Sequence, residues 1–312
     1  MTFDVLAIGN PVYDIIITPY VRSGRRVLSG CSVNALLALR RLGFTKLALV
    51  GTVGRDFMSQ IKRELRHYGI THFTLIEAPE TGGFELVYDE RGNRELKVLG
   101  IAGHITEHDI PDEYLDTKYI LLGPILNEID LGLVEYLATT SDAELFLDPQ
   151  GFTRVIASDG SIRHKCDKTL MRKIIELVNY VKPNEVESFV ITETKNPFQA
   201  AKMLVEWGAE VGIVTLAERG SVAYDGNLFY KIPAYRTVAL DPTGAGDVYA
   251  GGFIAKRLEG GSIAAACLYA SATASIKVEH CGPNFPVTRK ETERRYHAIA
   301  SELRVYERVA EI

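Results

Sequence analysis

The feature that most constrains this chain is a rhythm. Short, continuous apolar runs of strand length alternate with longer stretches whose apolar residues recur at helical spacing. FDVLAIG (3–9), KLALVGTVG (46–54), KYILLG (118–123), ELFLD (144–148) and EVGIVTL (210–216) are the runs. Between them lie SVNALLALRRLG (32–43), DFMSQIKRELRHYG (56–69, with Asp56 at its start and Gly69 at its end), EIDLGLVEYLATT (128–140) and NPFQAAKMLVEWG (196–208). In the first of these helices Leu36, Leu39 and Leu42 share a face and Gly43 supplies the stop. Strands apolar on both faces need cover on both faces. The expectation is therefore an α/β fold: a doubly wound, mostly parallel sheet with helices on both sides.

Two segments break the rhythm. TGGFELVYDERGNRELKVLGIAG (81–103) reads as a hairpin around Glu90-Arg91-Gly92-Asn93, and IIITPYVRSGRRVLSG (15–30) as a strand pair around Ser23-Gly24. Together they predict a small β lid inserted into a single domain spanning 1–312. Thr288 to Ile312 reads as a charged amphipathic helix. The exposed lid strands offer an edge through which two copies could pair as a homodimer.

At 312 residues, 46% hydrophobic and 24% charged, the chain can bury a large core without disulfides or structural metal. A net charge of −5 and scattered aromatics argue against nucleic acid as a partner. No apolar run is long enough to span a bilayer, so no membrane role is expected. Cys31, Cys166, Cys267 and Cys281 form no CxxC pair, and the N-terminus lacks a signal-peptide pattern. A reduced, cytoplasmic protein is the expectation. His104 and His108 stand four apart, but no third ligand is evident, and Thr106 and Asp109 read better as cap residues.

DPTGAGDVYAGGF (241–253) is the densest motif. Pro242 and Gly244 make a turn, and Val248, Phe253, Ile254 and Leu258 then give a helical apolar face. A helix starting near Ala245 or Gly246 would present free amides and the positive end of its dipole. A dinucleotide fingerprint fails because Tyr249 replaces its third glycine. A Walker loop fails because Gly252 stands where its lysine belongs. The third reading is an anion hole of Ala245, Gly246 and Asp247 amides beside a base, Asp247, that accepts the proton of an attacking hydroxyl. An acid in a first helical turn also simply complements the dipole, so the turn alone does not decide between chemistry and stability.

The motif resembles the C-terminal signature of the ribokinase-like (PfkB-type) carbohydrate kinases. The likeness runs through nearly the whole chain: AIGNPVYDI (7–15), SGCSVNALLALRRLG (29–43), LVGTVGRD (49–56), TGGFELVYDERGNR (81–94), VKPNEVE (181–187) and VTLAERGSV (214–222). The resemblance implies an ATP-dependent kinase with Asp247 as catalytic base and Gly244, Ala245 and Gly246 as the anion hole. Asn184 and Glu187 would organise the water shell of Mg²⁺-ATP. Thr215, Gly220 and Gly282 would lie near the nucleotide, and Asp14, Gly30 and Asn34 would hold the acceptor. Asp241 is similar to the position that binds a monovalent cation, K⁺, in several members. Cys31 departs from the family by replacing a glycine, as does Ala217, and no lysine or arginine is placed by motif against the transferring group.

LDPQGFTR (147–154) resembles a stretch of inositol-kinase-like members and puts Asp148, Gln150 and Arg154 at a strand end. A small sugar or cyclic polyol is the expected substrate, with a nucleoside as the alternative. A dinucleotide oxidoreductase would need GxGxxG after the first strand, and GNPVYD (9–14) is not one. A catalytically silent sugar-binding or regulatory module would have no need of Asp247 beside an intact GAG turn.

Overall fold

The computed structural model describes residues 2–90 and 92–308. Its spine is a ten-stranded sheet. Seven strands run parallel, in the spatial order His72–Ala78, Leu47–Gly54, Phe3–Ile8, Thr117–Leu122, Glu144–Leu147, Tyr180–Val181, Val211–Thr215. Ser221–Tyr224, Phe229–Ile232 and Arg304–Tyr306 continue it antiparallel. The first strand shows why the sequence reads as it does. Val5 and Ala7 enter the core on one face, Leu6 and Ile8 the core on the other, so all four must be apolar.

Helices Cys31–Arg41, Met58–His67, Ala245–Leu258, Ile263–Lys277 and Arg289–Ala300 contribute to the first core. Leu131–Thr140, Lys168–Ile175 and Glu185–Thr192 contribute to the second. The predicted doubly wound sheet is therefore present. The first strand is flanked by Leu47–Gly54 on one side and Thr117–Leu122 on the other, so the connections reverse direction there. In open parallel sheets, ligands bind beyond the strand ends at such a reversal.

The predicted lid is a separate four-stranded sheet, ordered Val27–Ser29, Val12–Ile17, Gly83–Tyr88, Arg94–Gly100. It has its own apolar cluster, including Val12, Ile16, Phe84, Leu86 and Leu96. The first lid strand starts at Val12, ahead of the predicted position 15. Arg91 of the predicted turn lies outside the described residues. The Arg94–Gly100 edge, expected to be open to a second copy, is partly occupied within the chain. Val98 N donates to Gly160 O at 3.0 Å, in the loop of a small hairpin made by Arg154–Ile156 and Ile162–His164.

Two local expectations are corrected, and one strand is added. Asp56 does not open its helix: its carboxylate accepts from Thr81 N and Thr81 Oγ1, and Phe57 precedes the first turn. The C-terminal segment is a helix only to Ala300; Arg304–Tyr306 then adds to the sheet, and residues 309–312 lie outside those described. Strand His72–Ala78 escaped the sequence reading because it carries polar His72, Thr74 and Glu77 at the edge of the parallel run. Among the described residues no helix is long and apolar enough to cross a membrane.

Candidate active site

The glycine turn closes over the ends of the central strands. Gly244 adopts φ +78°, a left-handed conformation that glycine takes without strain, and the helix Ala245–Leu258 begins at the next residue. The Ala245 amide is turned onto Pro242 O at 3.1 Å. Gly246 and Asp247 supply the remaining first-turn amides, which have no intrahelical acceptor. Gly251 and Gly252 serve a different purpose. A Cβ on Gly251 would stand 2.6 Å from Ala35 O, and one on Gly252 would stand 2.7 Å from Thr273 Oγ1. They let two helices pack closely against this one beyond its first turn.

Asp247 sits at the end of the strand layer with its carboxylate held from several sides. Asn34 Nδ2 donates to Oδ2 at 2.9 Å, and Gln150 Nε2 to Oδ1 at 3.4 Å. The Cys31 thiol also lies against it. Burial pushes the Asp247 pKa up, and the nearby charge of Asp148 pushes it further; Asn34, Lys182 and Cys31 pull it back. Cys31, Asp148 and Asp247 bring one ligand atom each within 4.8 Å of one another. This is not a convincing metal site, because burial and Asp247 keep the thiol protonated and Asp148 already has a cation.

That cation is Lys182, which the sequence reading missed. Its Nζ lies 2.8 Å from Asp148 Oδ2, each side chain only 3% exposed. Burial opposes its charge, but Asp148 and Glu187 outweigh burial and hold the ammonium well above its ordinary range. A Cβ placed on Gly246 would stand 3.3 Å from Nζ, so the ammonium faces the anion turn itself. The signal was available: Lys182 immediately precedes Pro183-Asn184 at a strand end.

Asn184 and Glu187 come together, but facing each other. Glu187 N donates to Asn184 Oδ1 and Asn184 N to Glu187 Oε2, both at 2.9 Å, a reciprocal capping box at the start of helix Glu185–Thr192. Glu187 is buried; burial and then Asp148 raise its pKa. Thr215 pairs with Asn184 across neighbouring strand ends, and Thr215 N donates to Pro183 O at 3.1 Å. Gly220 closes the following turn by accepting from Leu216 N at 2.8 Å. Within that turn Ala217 takes φ +51°, where glycine would be unstrained. Gly282 N donates to Asp241 Oδ2 at 3.2 Å, so its amide supports the turn.

On the lid side, Gly30 caps the helix that carries Asn34. Asp14 is 3% exposed and accepts from Phe84 N at 2.8 Å, tying the two lid segments together. Burial pushes its pKa up to about 6, against the Ser29 hydroxyl, the Phe84 amide and the Arg154 charge. Arg154 donates through Nη2 to Gln150 Oε1 and through Nη1 to Ile125 O at 3.1 Å. It thus fixes the amide that touches Asp247. Arg154 also borders a cleft of about 470 Å³ lined by Asn127, Phe152, Lys165 and Leu170. Tyr88 from the lid meets Thr243 Oγ1 at 3.0 Å, beside the glycine turn.

A doubly wound sheet, a β lid and a carboxylate behind a helix-start glycine turn together define a phosphoryl-transfer architecture. Residues 3–290 match the pfkB family carbohydrate kinase model, and the chain belongs to that family. A cytidine kinase from Thermococcus kodakarensis is 31% identical over 258 residues, 81% of this chain and 87% of its own length. A pyrophosphate-dependent kinase of the ribokinase family, solved with a pyrophosphate analogue and myo-inositol, is similar with a TM-score of 0.79 at 23% identity. It covers 93% of this chain and 99% of its own. A nucleoside kinase from Burkholderia thailandensis, solved with ADP-inosine, gives 0.77 at 22% identity, covering 95% and 96%. The fold is ribokinase-like, and the chain is a kinase.

Proposed function

We propose that this protein is an ATP-dependent kinase that phosphorylates a hydroxyl of a small sugar or cyclic polyol, with Asp247 as the catalytic base. The observation that carries the reading is Asp247 itself: a half-buried carboxylate in the first turn of a helix, aligned by Asn34 and Gln150, with the Lys182 ammonium facing the adjoining amides. In a turn that only held phosphate, a carboxylate at this place would repel the ligand.

Asp247 takes the proton of the acceptor hydroxyl as that oxygen bonds to the γ-phosphorus and the bridging bond to the leaving diphosphate breaks. An aspartate is a weak base for an alcohol, so proton transfer comes late and positioning contributes most of the catalysis. The Gly246 and Asp247 amides offset charge on the transferring group. Lys182 adds a buried positive charge at the same place, supplying the cation that no motif placed. Asp14, Gly30 and Asn34 would hold the acceptor, with Gln150 and Arg154 setting its depth. Asp148 acts through Lys182, by fixing its ammonium.

The donor set suits Mg²⁺-ATP: Glu187 is a buried oxygen donor whose charge a hard cation would relieve. Mg²⁺-ATP, when bound, supplies the γ-phosphoryl group and neutralises part of its charge. Asn184, Glu187 (through water), Thr215 and Gly220 would hold it, with Gly282 behind the turn.

A second reading, a nucleoside acceptor, has specific support. The Thermococcus relative is a cytidine kinase, and a nucleoside kinase from Burkholderia thailandensis shares the fold. A panel of sugars, inositols and nucleosides assayed for ADP release separates the two. Asp247→Asn should lower kcat at least a thousandfold while ATP affinity changes little. Turnover near the wild-type rate in that variant would sink the mechanism.

A further inference from the structure

The family resemblance places a monovalent cation at Asp241, and this chain fills that place differently. Asp241 is fully buried and Lys277, in the last turn of helix Ile263–Lys277, is 1% exposed. Lys277 Nζ donates to His280 O at 2.8 Å, to Asp241 Oδ2 at 3.2 Å and to Asp241 O at 3.4 Å. An ammonium has three N–H donors, and each finds an oxygen. Two are backbone carbonyls and one is a carboxylate, which is the ligand chemistry of a weakly hydrated monovalent cation. A potassium ion bound to the same oxygens would sit in contact with Nζ, like charge against like charge in a buried site. The residues present do not fit K⁺.

We propose that the Lys277 ammonium is a built-in substitute for the monovalent cation, so that this kinase works without K⁺. The link to the site runs through Asp241. Its Oδ1 accepts from Thr243 N at 2.9 Å and its Oδ2 from Gly282 N at 3.2 Å. Lys277 thus ties the loop at His280 to the turn that leads through Thr243 into Gly244. A positive charge on a helix's last turn also suits the helix dipole. Lys277 is a positioning residue: it sets the amides of the anion turn without touching substrate. The inference rests on reading residues 241–247 as the phosphoryl-transfer turn.

The test compares K⁺, Na⁺ and choline chlorides at matched ionic strength. The wild-type protein should show the same kcat and the same melting temperature in all three. Lys277→Ala should lose at least tenfold in kcat in choline, and K⁺ or NH₄⁺ should restore most of it where Na⁺ does not. Its melting temperature should rise saturably with K⁺. A wild-type rate or melting temperature that rises saturably with K⁺ overturns the proposal. So does a folded Lys277→Ala chain that keeps full kcat in choline, or whose loss neither K⁺ nor NH₄⁺ repairs. If Lys277→Ala does not fold, the wild-type comparison decides alone. The melting arm needs no acceptor, so it reports even if the assigned substrate class is wrong.

Discussion

At the scale of single residues, this site is built from charges that would prefer not to be buried together. As the proposed base, Asp247 must be ionised to accept a proton, and burial and Asp148 hold its pKa above the ordinary carboxylate value. kcat should therefore rise with pH along an acid limb that lies above about 3.9. Asp148→Asn removes the largest neighbouring negative charge, so the limb should move to lower pH; a kcat–pH profile of both proteins checks this. Asp14 makes the same conflict visible in stability. Its pKa in the fold is about 6 against an ordinary 3.8. A raised carboxyl pKa means that stability is full below 3.8 and is lost as pH rises through 6. The gap corresponds to roughly 3 kcal/mol. Asp14→Asn can still accept from Phe84 N, so it should melt several degrees higher at pH 7.5, with the gain shrinking towards pH 4. The acceptor KM should rise at the same time. A gain that did not vary with pH would contradict the assignment.

At the scale of elements, the glycine-rich helix performs two tasks in one motif. Its first turn faces Asn34 and Lys182, while Gly251 and Gly252 face neighbouring helices. Gly251→Ala would press a methyl into the Ala35 carbonyl, on a helix that also carries Asn34. It should cost about 1–3 kcal/mol and lower the melting temperature. The two tasks cannot be told apart from spacing, because Gly246 and Gly251 alone match part of a phosphate loop. The capping box of Asn184 and Glu187 poses a similar ambiguity. The resemblance assigned both residues to the water shell of Mg²⁺-ATP, and the structure shows each satisfying the other's backbone amide. Edge strands that are only half-buried, such as His72–Ala78, carry no continuous apolar signal and escaped notice. Arg304–Tyr306 is three residues long, and only its partner strand defines it.

At the scale of the molecule, the lid and the sheet meet over the site. Phe84 N on Asp14 ties the lid's segments to each other, and Tyr88 on Thr243 ties the lid to the glycine turn. A docked lid excludes water, the competing acceptor. Tyr88→Phe should loosen that contact and raise ATP hydrolysis relative to phosphoryl transfer. The ratio of phosphate released to phosphorylated acceptor measures it, and an unchanged ratio would remove Tyr88 from lid docking.

The sequence by itself determined the layered sheet and the lid, and it singled out Asp247 as the candidate base. Those rest on periodicities of two and 3.6 residues and on a glycine turn, all local in the chain. Tertiary structure decided what surrounds Asp247. Lys182 meets Asp148 from a different strand, and Lys277 meets Asp241 across 36 residues. A lysine's charge is evident in any sequence. Whether it lies in water or stands in for an ion depends on which distant carboxylate and carbonyls the fold closes around it.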